Sequence, residues 1–369
     1  MSDVEIGRSK RARAAYSFDD VSLVPSRRTR DDALVSLDWK IDAYSFNHPI
    51  IAAPMDSVVS PSSAKTFAAA GGLAILNLEG VWTRYEDPTG VLNDIAALDS
   101  KGATAKLQEI YAKPIKPELI AARIQEMRAA GITVAGALSP QRTAQFAKQV
   151  VDAGVDIFVI RGTTVSAEHV SNGGEALNLK EFIYQLDVPV IVGGCATYTA
   201  ALHLMRTGAA GVLVGFGGGA AHTTLDVLGV RVPMASAVAD VAAARRDYLD
   251  ESGGRYVSVI ADGSMGRSGD VSKAIALGAD AVVVGSTFAR ATDAPGRGKH
   301  WGIEATHLEL PRGELVDLGT TGTLSEIISG PSHTADGTMN MVGALRRAMA
   351  TCGYSDLKEF QRVEVVVQP

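Results

Sequence analysis

The sequence predicts an α/β fold, a (β/α)8 barrel of parallel strands (a TIM barrel), and three observations predict it. Eight short β-rich runs alternate with helical stretches over most of the 369 residues. These runs are continuously apolar rather than alternating, the pattern of parallel strands covered on both faces. The chain also repeats itself. "GAAGVLVG" (208–215) and "GADAVVVG" (278–285) each close a helix and open a strand, and each follows a "VIVGGC" or "VIADGS" strand by a similar distance. Such duplicated units favour a closed barrel over a doubly wound open sheet.

In chain order the expected strands begin with "PIIAAPM" (49–55), "GLAILNL" (72–78), "ITVAGAL" (132–138) and "DIFVIRG" (156–162). "PVIVGGC" (189–195), "GVLVGFG" (211–217), "YVSVIADG" (256–263) and "AVVVGSTF" (281–288) follow. Helical segments such as "PELIAARIQEMRAAG" and "SGDVSKAIALGAD" end in "AG" or "GA", the signature of a C-cap before the next strand. Two regions stand outside this alternation. Residues 81–120 are charged and helical, and residues 291–340 are a long polar excursion after the last strand. A stretch of that length with no pattern of its own is expected to be a functional, mobile flap. The helix "NMVGALRRAMATCGY" (340–354) is then expected to close the barrel. One barrel domain over 1–369, carrying these two additions, is the expected organisation.

Composition narrows the function. Hydrophobic residues make up 46% and charged residues 21%, which suits a globular protein with a sizeable core. A net charge of −6 gives no general attraction for nucleic acid or an anionic membrane, so neither is expected as a partner. An anionic ligand has to be held by local groups. Cys195 and Cys352 are too few for a disulfide framework or a structural zinc site, and no metal is expected. The N-terminal stretch is basic without an apolar core, and no apolar run reaches membrane-spanning length. A soluble cytoplasmic protein is the expectation.

In barrels of this class ligands bind at the C-terminal ends of the strands. The residues there are Met55-Asp56-Ser57, Asn77, Ser139, Arg161-Gly162-Thr163, Cys195, the loop Gly217–Thr224, Asp262-Gly263-Ser264 and Gly285-Ser286. The stretch "VLVGFGGGAAHTT" (212–224) runs from a strand into a loop with Gly215, Gly217, Gly218 and Gly219. Glycine packs nothing, so the cluster suits a backbone that turns sharply and lies close to a ligand, or a plain tight connection. Gly263-Ser264 and Gly285-Ser286 each place a glycine and a hydroxyl before a helix, where backbone N–H groups face an anion. Two such turns at the last two strand ends make a phosphate site the expectation. Asp262 beside them faces a donor, either ribose hydroxyls or the start of the next helix.

Taken together, these residues resemble the IMP dehydrogenase/GMP reductase enzymes over nearly the whole chain. The resemblance rests on "FDDVSLVPS" (18–26), "APMDSV" (53–58), "GGCATYTAA" (193–201), "IADGSMGRSGDVSKAIALGADAVVVGS" (260–286) and "APGRG" (294–298). "GFGGGAAHTT" stands where that family has its catalytic loop. The resemblance implies a purine nucleoside monophosphate as ligand. Asp262 would hold the ribose, Gly263, Ser264, Gly285 and Ser286 the phosphate, and Met55 and Thr224 would lie near the base. It implies NAD as hydride acceptor, IMP-to-XMP oxidation in GMP biosynthesis, and a homotetramer. Only residues 81–120 stand where the dehydrogenases carry paired CBS modules, so the chain resembles the CBS-less subgroup.

The chain departs from the family pattern at the chemistry. His222 occupies the position of the nucleophilic cysteine, and an imidazole is more often a base than a nucleophile. Arg161 stands where an aspartate meets the nicotinamide riboside, Ala220 where a loop serine helps hold phosphate, and Cys195 where an asparagine lies near the base. No Arg-Tyr pair that would activate water is apparent in 291–340. Two further functions compete with oxidation of IMP. One is a purine-nucleotide-binding regulatory protein without catalysis. The other is a GMP reductase-like or FMN-dependent barrel, since "VIRGTTVSAEH" (159–169) faintly resembles nitronate-oxidising enzymes, with His169 as base or as a helix-surface residue. Cys195 is either a surrogate thiol or a small packing residue. His300, His307 and His333 are expected in a solvated loop.

Overall fold

Each of the eight apolar runs forms a strand in the computed structural model, which describes residues 3–170 and 177–368. The barrel strands are β1 (Ile50–Ala52), β2 (Leu73–Asn77), β3 (Ala135–Leu138) and β4 (Ile157–Arg161). They continue as β5 (Val190–Cys195), β6 (Gly211–Val214), β7 (Ser258–Asp262) and β8 (Ala281–Val284). All eight pair in parallel, each with its neighbour in sequence. β8 returns to β1 with Val282 opposite Ile50, which closes the barrel. Nearly every residue in these strands is buried, which is why the runs show no alternation.

The two flanking segments pack on the same mouth of the barrel. Residues 81–129 form four helices, Val81–Arg84, Pro88–Ala96, Ala103–Tyr111 and Pro117–Ala129. Proline at the first position of the second and fourth sets φ for helix entry. Val81, Leu92, Ile95, Leu107, Ile110 and Tyr111 make a hydrophobic cluster of their own, completed by Trp301, Ala305 and Leu315 of the excursion.

Residues 291–340 carry regular elements of their own. Lys299–His300 pairs antiparallel with Val316–Asp317, Ile303–Thr306 is a 3-10 turn, and Leu324–Ser329 is a helix. The mixed polar and apolar order of this stretch hides its buried face, because its partners lie in a helical segment about 200 residues earlier rather than in its own pattern. His300 and Trp301 are buried, whereas His307, Leu308 and His333 face solvent. His169 lies in an exposed loop, not on a helix.

"FDDVSLVPS" has a structural task. Val21–Val24 pairs antiparallel with the C-terminal strand Glu364–Val367, and Asp19 accepts from Arg267 at 2.7 Å. Lys273 donates to the Phe18 carbonyl. The helix Met341–Cys352 packs on Ser268–Ala276, the helix between β7 and β8. No helix of the described residues is long and apolar enough to cross a membrane.

Candidate active site

A cavity of about 270 Å³ opens at the C-terminal ends of the strands. Met55, Arg161, Gly217, Gly218, Gly219, His222, Asp262, Gly263, Ser264, Gly285 and Ser286 all line it, so the fold brings together residues that the sequence spreads over 232 positions. Cys195 is not among the lining residues. It is buried, its thiol donates to the Leu213 carbonyl at 3.4 Å, and burial pushes its pKa up to about 12. A thiol so held is a packing residue and not a nucleophile. Thr224 is fully buried behind the loop, and its Oγ1 has no hydrogen-bond partner among the described residues.

The glycine loop is shaped by close approach. At Gly217, with φ +66°, a Cβ would sit 2.7 Å from Cβ of Thr224. At Gly218 it would sit 2.6 Å from Oγ of Ser264. Two substitution-intolerant contacts in adjacent residues make the loop more than a short connection. Ser264 itself has φ +60°, and its hydroxyl donates to the Gly218 carbonyl at 3.2 Å. The loop and the Gly263-Ser264 turn are therefore one unit. Gly285 sits beside Met55, whose Sδ would be 3.2 Å from a Cβ at that position.

The excursion holds the far end of the loop. Thr223 N–H donates to the Arg312 carbonyl, and Glu314 N–H to the Ala221 carbonyl at 2.9 Å. His222 and Gly313 form an isolated antiparallel bridge. This docking delivers Glu304 to the site. Its Oε2 lies 3.9 Å from Nε2 of His222, in ion-pair range but beyond a hydrogen bond. Glu304 Oε2 and His222 Nδ1 are both buried, and neither has a hydrogen-bond partner among the described residues. Burial alone would raise the Glu304 pKa, but His222, Arg161 and Arg312 outweigh it and hold the carboxyl below its ordinary range.

Arg161 fills the other side. Its Nε donates to Asp262 Oδ2 at 2.9 Å, so the donor that Asp262 faces is the arginine, and the carboxylate keeps lone pairs for further donors. Burial opposes the Arg161 charge, but Asp262 and Glu304 raise its pKa further. His300 closes the base of this end. Its Nδ1 lies 2.9 Å from Oγ of Ser57, and burial, then the nearby His222, push its pKa down to about 3. A second cleft of about 790 Å³ adjoins the cavity through Arg161, Gly162, Thr163 and Glu304, and Arg84, Arg142 and Arg312 line it. Sequence reasoning missed Glu304, Arg312 and the buried His300, because nothing in their spacing marks them.

The matched family model is the IMP dehydrogenase / GMP reductase domain, and it covers residues 15–368. The chain belongs to this family. An uncharacterized oxidoreductase of Mycobacterium tuberculosis is 50% identical over 372 residues, 99% of this chain and 99% of its own. The inosine-5'-monophosphate dehydrogenase of Methanocaldococcus jannaschii is 27% identical, covering 95% of this chain and 92% of its own. The crystal structure of an IMP dehydrogenase/GMP reductase-like protein from Corynebacterium glutamicum superposes with a TM-score of 0.94 at 49% identity, covering 99% of this chain and 97% of that one. As a member of the IMP dehydrogenase/GMP reductase family the chain is IMP dehydrogenase-related and oxidoreductase-like, and its fold is a TIM barrel.

Proposed function

We propose that the protein binds a purine nucleoside monophosphate at the barrel mouth and is a very slow oxidoreductase of the IMP dehydrogenase type. The observation that carries this reading is the His222–Glu304 pair at the end of the glycine loop, in a cavity lined at its other end by two anion-ready turns. The phosphate lies at Gly263-Ser264 and Gly285-Ser286, and the ribose lies at Asp262. The base reaches Met55 and His222, with Thr224 buried behind the glycine loop. The arginine-lined cleft fits the pyrophosphate of NAD, with Arg142 and Arg312 as its donors. When bound, NAD supplies the hydride acceptor.

His222 is a base in this reading, held by the ionised Glu304. It takes a proton from water as the oxygen bonds to C2 of IMP, and C2 then gives up its hydride. The balance is IMP, water and NAD+ to XMP, NADH and a proton. Without a thiol at the loop end, no covalent intermediate divides this step, and the reaction is slow. Turned away and buried, Cys195 favours a second reading, nucleotide binding without turnover. A homotetramer in the cytoplasm remains part of the first reading.

Thermal-shift measurements with IMP, XMP, GMP, NAD, NADPH and FMN test the ligand class, because a ligand that prefers the native state stabilises it by mass action. Stabilisation by a nucleoside monophosphate is expected. A response to FMN alone, with a yellow protein, would replace this reading with the flavin one. NADH formation from IMP separates slow turnover from binding alone.

A further inference from the structure

Met55, Asp56 and Ser57 are consecutive, and each reaches the same piece of the excursion. Met55 Cε would lie 3.5 Å from a Cβ at Gly302, and Ser57 holds His300. Asp56 reaches Trp301 through an intermediary. Tyr111 donates its hydroxyl proton to Asp56 Oδ2 at 2.5 Å and accepts from Nε1 of Trp301 at 2.8 Å. All three groups are buried. Tyr111 ends the helix Ala103–Tyr111, in the segment that stands between β2 and β3.

We propose that Tyr111 is a positioning residue: its hydroxyl ties the loop that follows strand β1, at Asp56, to Trp301 and so sets the Gly302–Glu304 turn that presents Glu304 to His222. The inserted helical segment thereby takes part in building the site. This rests on the reading of the His222–Glu304 pair as the reacting end of the cavity.

The hydroxyl suits the task because it has one proton and free lone pairs, so it serves an acceptor and a donor at once. Burial first, and Asp56 second, push the Tyr111 pKa well up, so the proton stays on the phenol. Asp56 is the fixed end. Val81 N–H donates to it at 2.8 Å, Asn77 Nδ2 at 3.4 Å, and Arg84 lies close enough to act on its charge. A Cβ at Gly80 would fall 1.9 Å from its Oδ1, so the carboxylate occupies space that only glycine leaves open. At the other end, Trp301 and Glu304 are three residues apart across a 3-10 turn whose N-cap is Gly302. A shift of the indole therefore moves the carboxylate. The charged groups facing Glu304 are His222 from the glycine loop, Arg161 from β4 and Arg312 from the excursion.

The test is the carboxyl titration of Glu304 in the free protein, followed by 13C NMR of glutamate-labelled protein and assigned with Glu304→Gln. Tyr111→Phe removes the bridge and keeps the ring. Its Glu304 midpoint is expected to move up towards the ordinary glutamate range, the direction in which Arg161→Gln also moves it. Trp301→Phe removes the same bridge from the other side and is expected to give the same shift. Tyr85→Phe is the control. It deletes a hydroxyl in the same segment that donates to the Ile110 carbonyl at 2.8 Å and does not reach Asp56. It is expected to leave Glu304 unchanged. An unmoved midpoint in folded Tyr111→Phe or Trp301→Phe, or an equal shift in Tyr85→Phe, overturns the proposal. The titration needs no nucleotide, so failure of IMP to bind would count against the proposed function alone.

Discussion

Nε of Arg161, at the end of β4, donates to Oδ2 of Asp262, at the end of β7, at 2.9 Å across the barrel mouth. Both side chains are mostly buried, so the pair is shielded from solvent and its loss leaves a charge without its partner.

Removing the cation by Arg161→Gln is expected to cost about 1.5–3 kcal/mol of stability, the range for a hydrogen bond to a charged group. Urea unfolding measures it. Asp262→Asn is expected to weaken IMP by about tenfold or more, because the ribose loses an ionised acceptor. Equal IMP affinity in Asp262→Asn would remove the ribose assignment.

The phosphate turns are tested from two sides. Ser286→Glu places a like charge at the second turn and is expected to abolish IMP binding. Gly218→Ala adds a Cβ where Oγ of Ser264 sits 2.6 Å away, so the first turn must shift. Calorimetry should show weakened IMP binding in Gly218→Ala while the melting temperature shows a folded protein. Unchanged affinity in both variants would place the phosphate elsewhere.

At the loop end, His222→Ala is expected to eliminate the slow formation of NADH from IMP while IMP still binds. His222→Cys alone is not expected to give a rapid enzyme, because Arg161 and the altered excursion remain and groups within one catalytic unit do not act additively. Mass spectrometry of the protein after reaction should show no nucleotide adduct in the unmodified chain. Brisk turnover by that chain would refute the slow-base mechanism.

His300 gives a signed pH dependence. Its pKa falls from the ordinary 6.5 to about 3 on folding, so the unfolded chain takes up the proton first. Its contribution is fully present above pH 6.5 and is lost as pH falls through that window, at about 1.4 kcal/mol per pH unit at most. Asp56 works the other way. Burial raises it to about 6, so its contribution is present below the ordinary 3.8 and lost as pH rises through 6. Between about pH 6 and 4 the two therefore oppose. Urea midpoints of His300→Gln against the parent should diverge in the variant's favour on acidification. Parallel profiles would mean that His300 titrates normally.

Hydrogen exchange should divide the excursion. His300–Ala305, buried against the helical segment, is expected to exchange slowly without ligand, and the exposed stretch around Leu308 quickly. Uniformly fast exchange over both would restore the picture of a free flap.

The sequence by itself determined the barrel. Eight continuous apolar runs could only be buried strands, and the cadence of glycine-ended helices fixed their parallel order, because these are local signals of burial and capping. It also placed Asp262, Ser264, Ser286 and His222 at the ligand end, since strand ends follow directly from strand positions. The tertiary structure alone decided which of these residues meet. Arg161 and Asp262 lie 101 residues apart, Tyr111 and Trp301 190, and Ser57 and His300 243. No periodicity encodes such pairs, because each exists only once the barrel has closed and the excursion has packed on the inserted helices. The same closure buried His300 and turned the Cys195 thiol towards Leu213, and so left the imidazole of His222, beside Glu304, at the end of the glycine loop in the cavity.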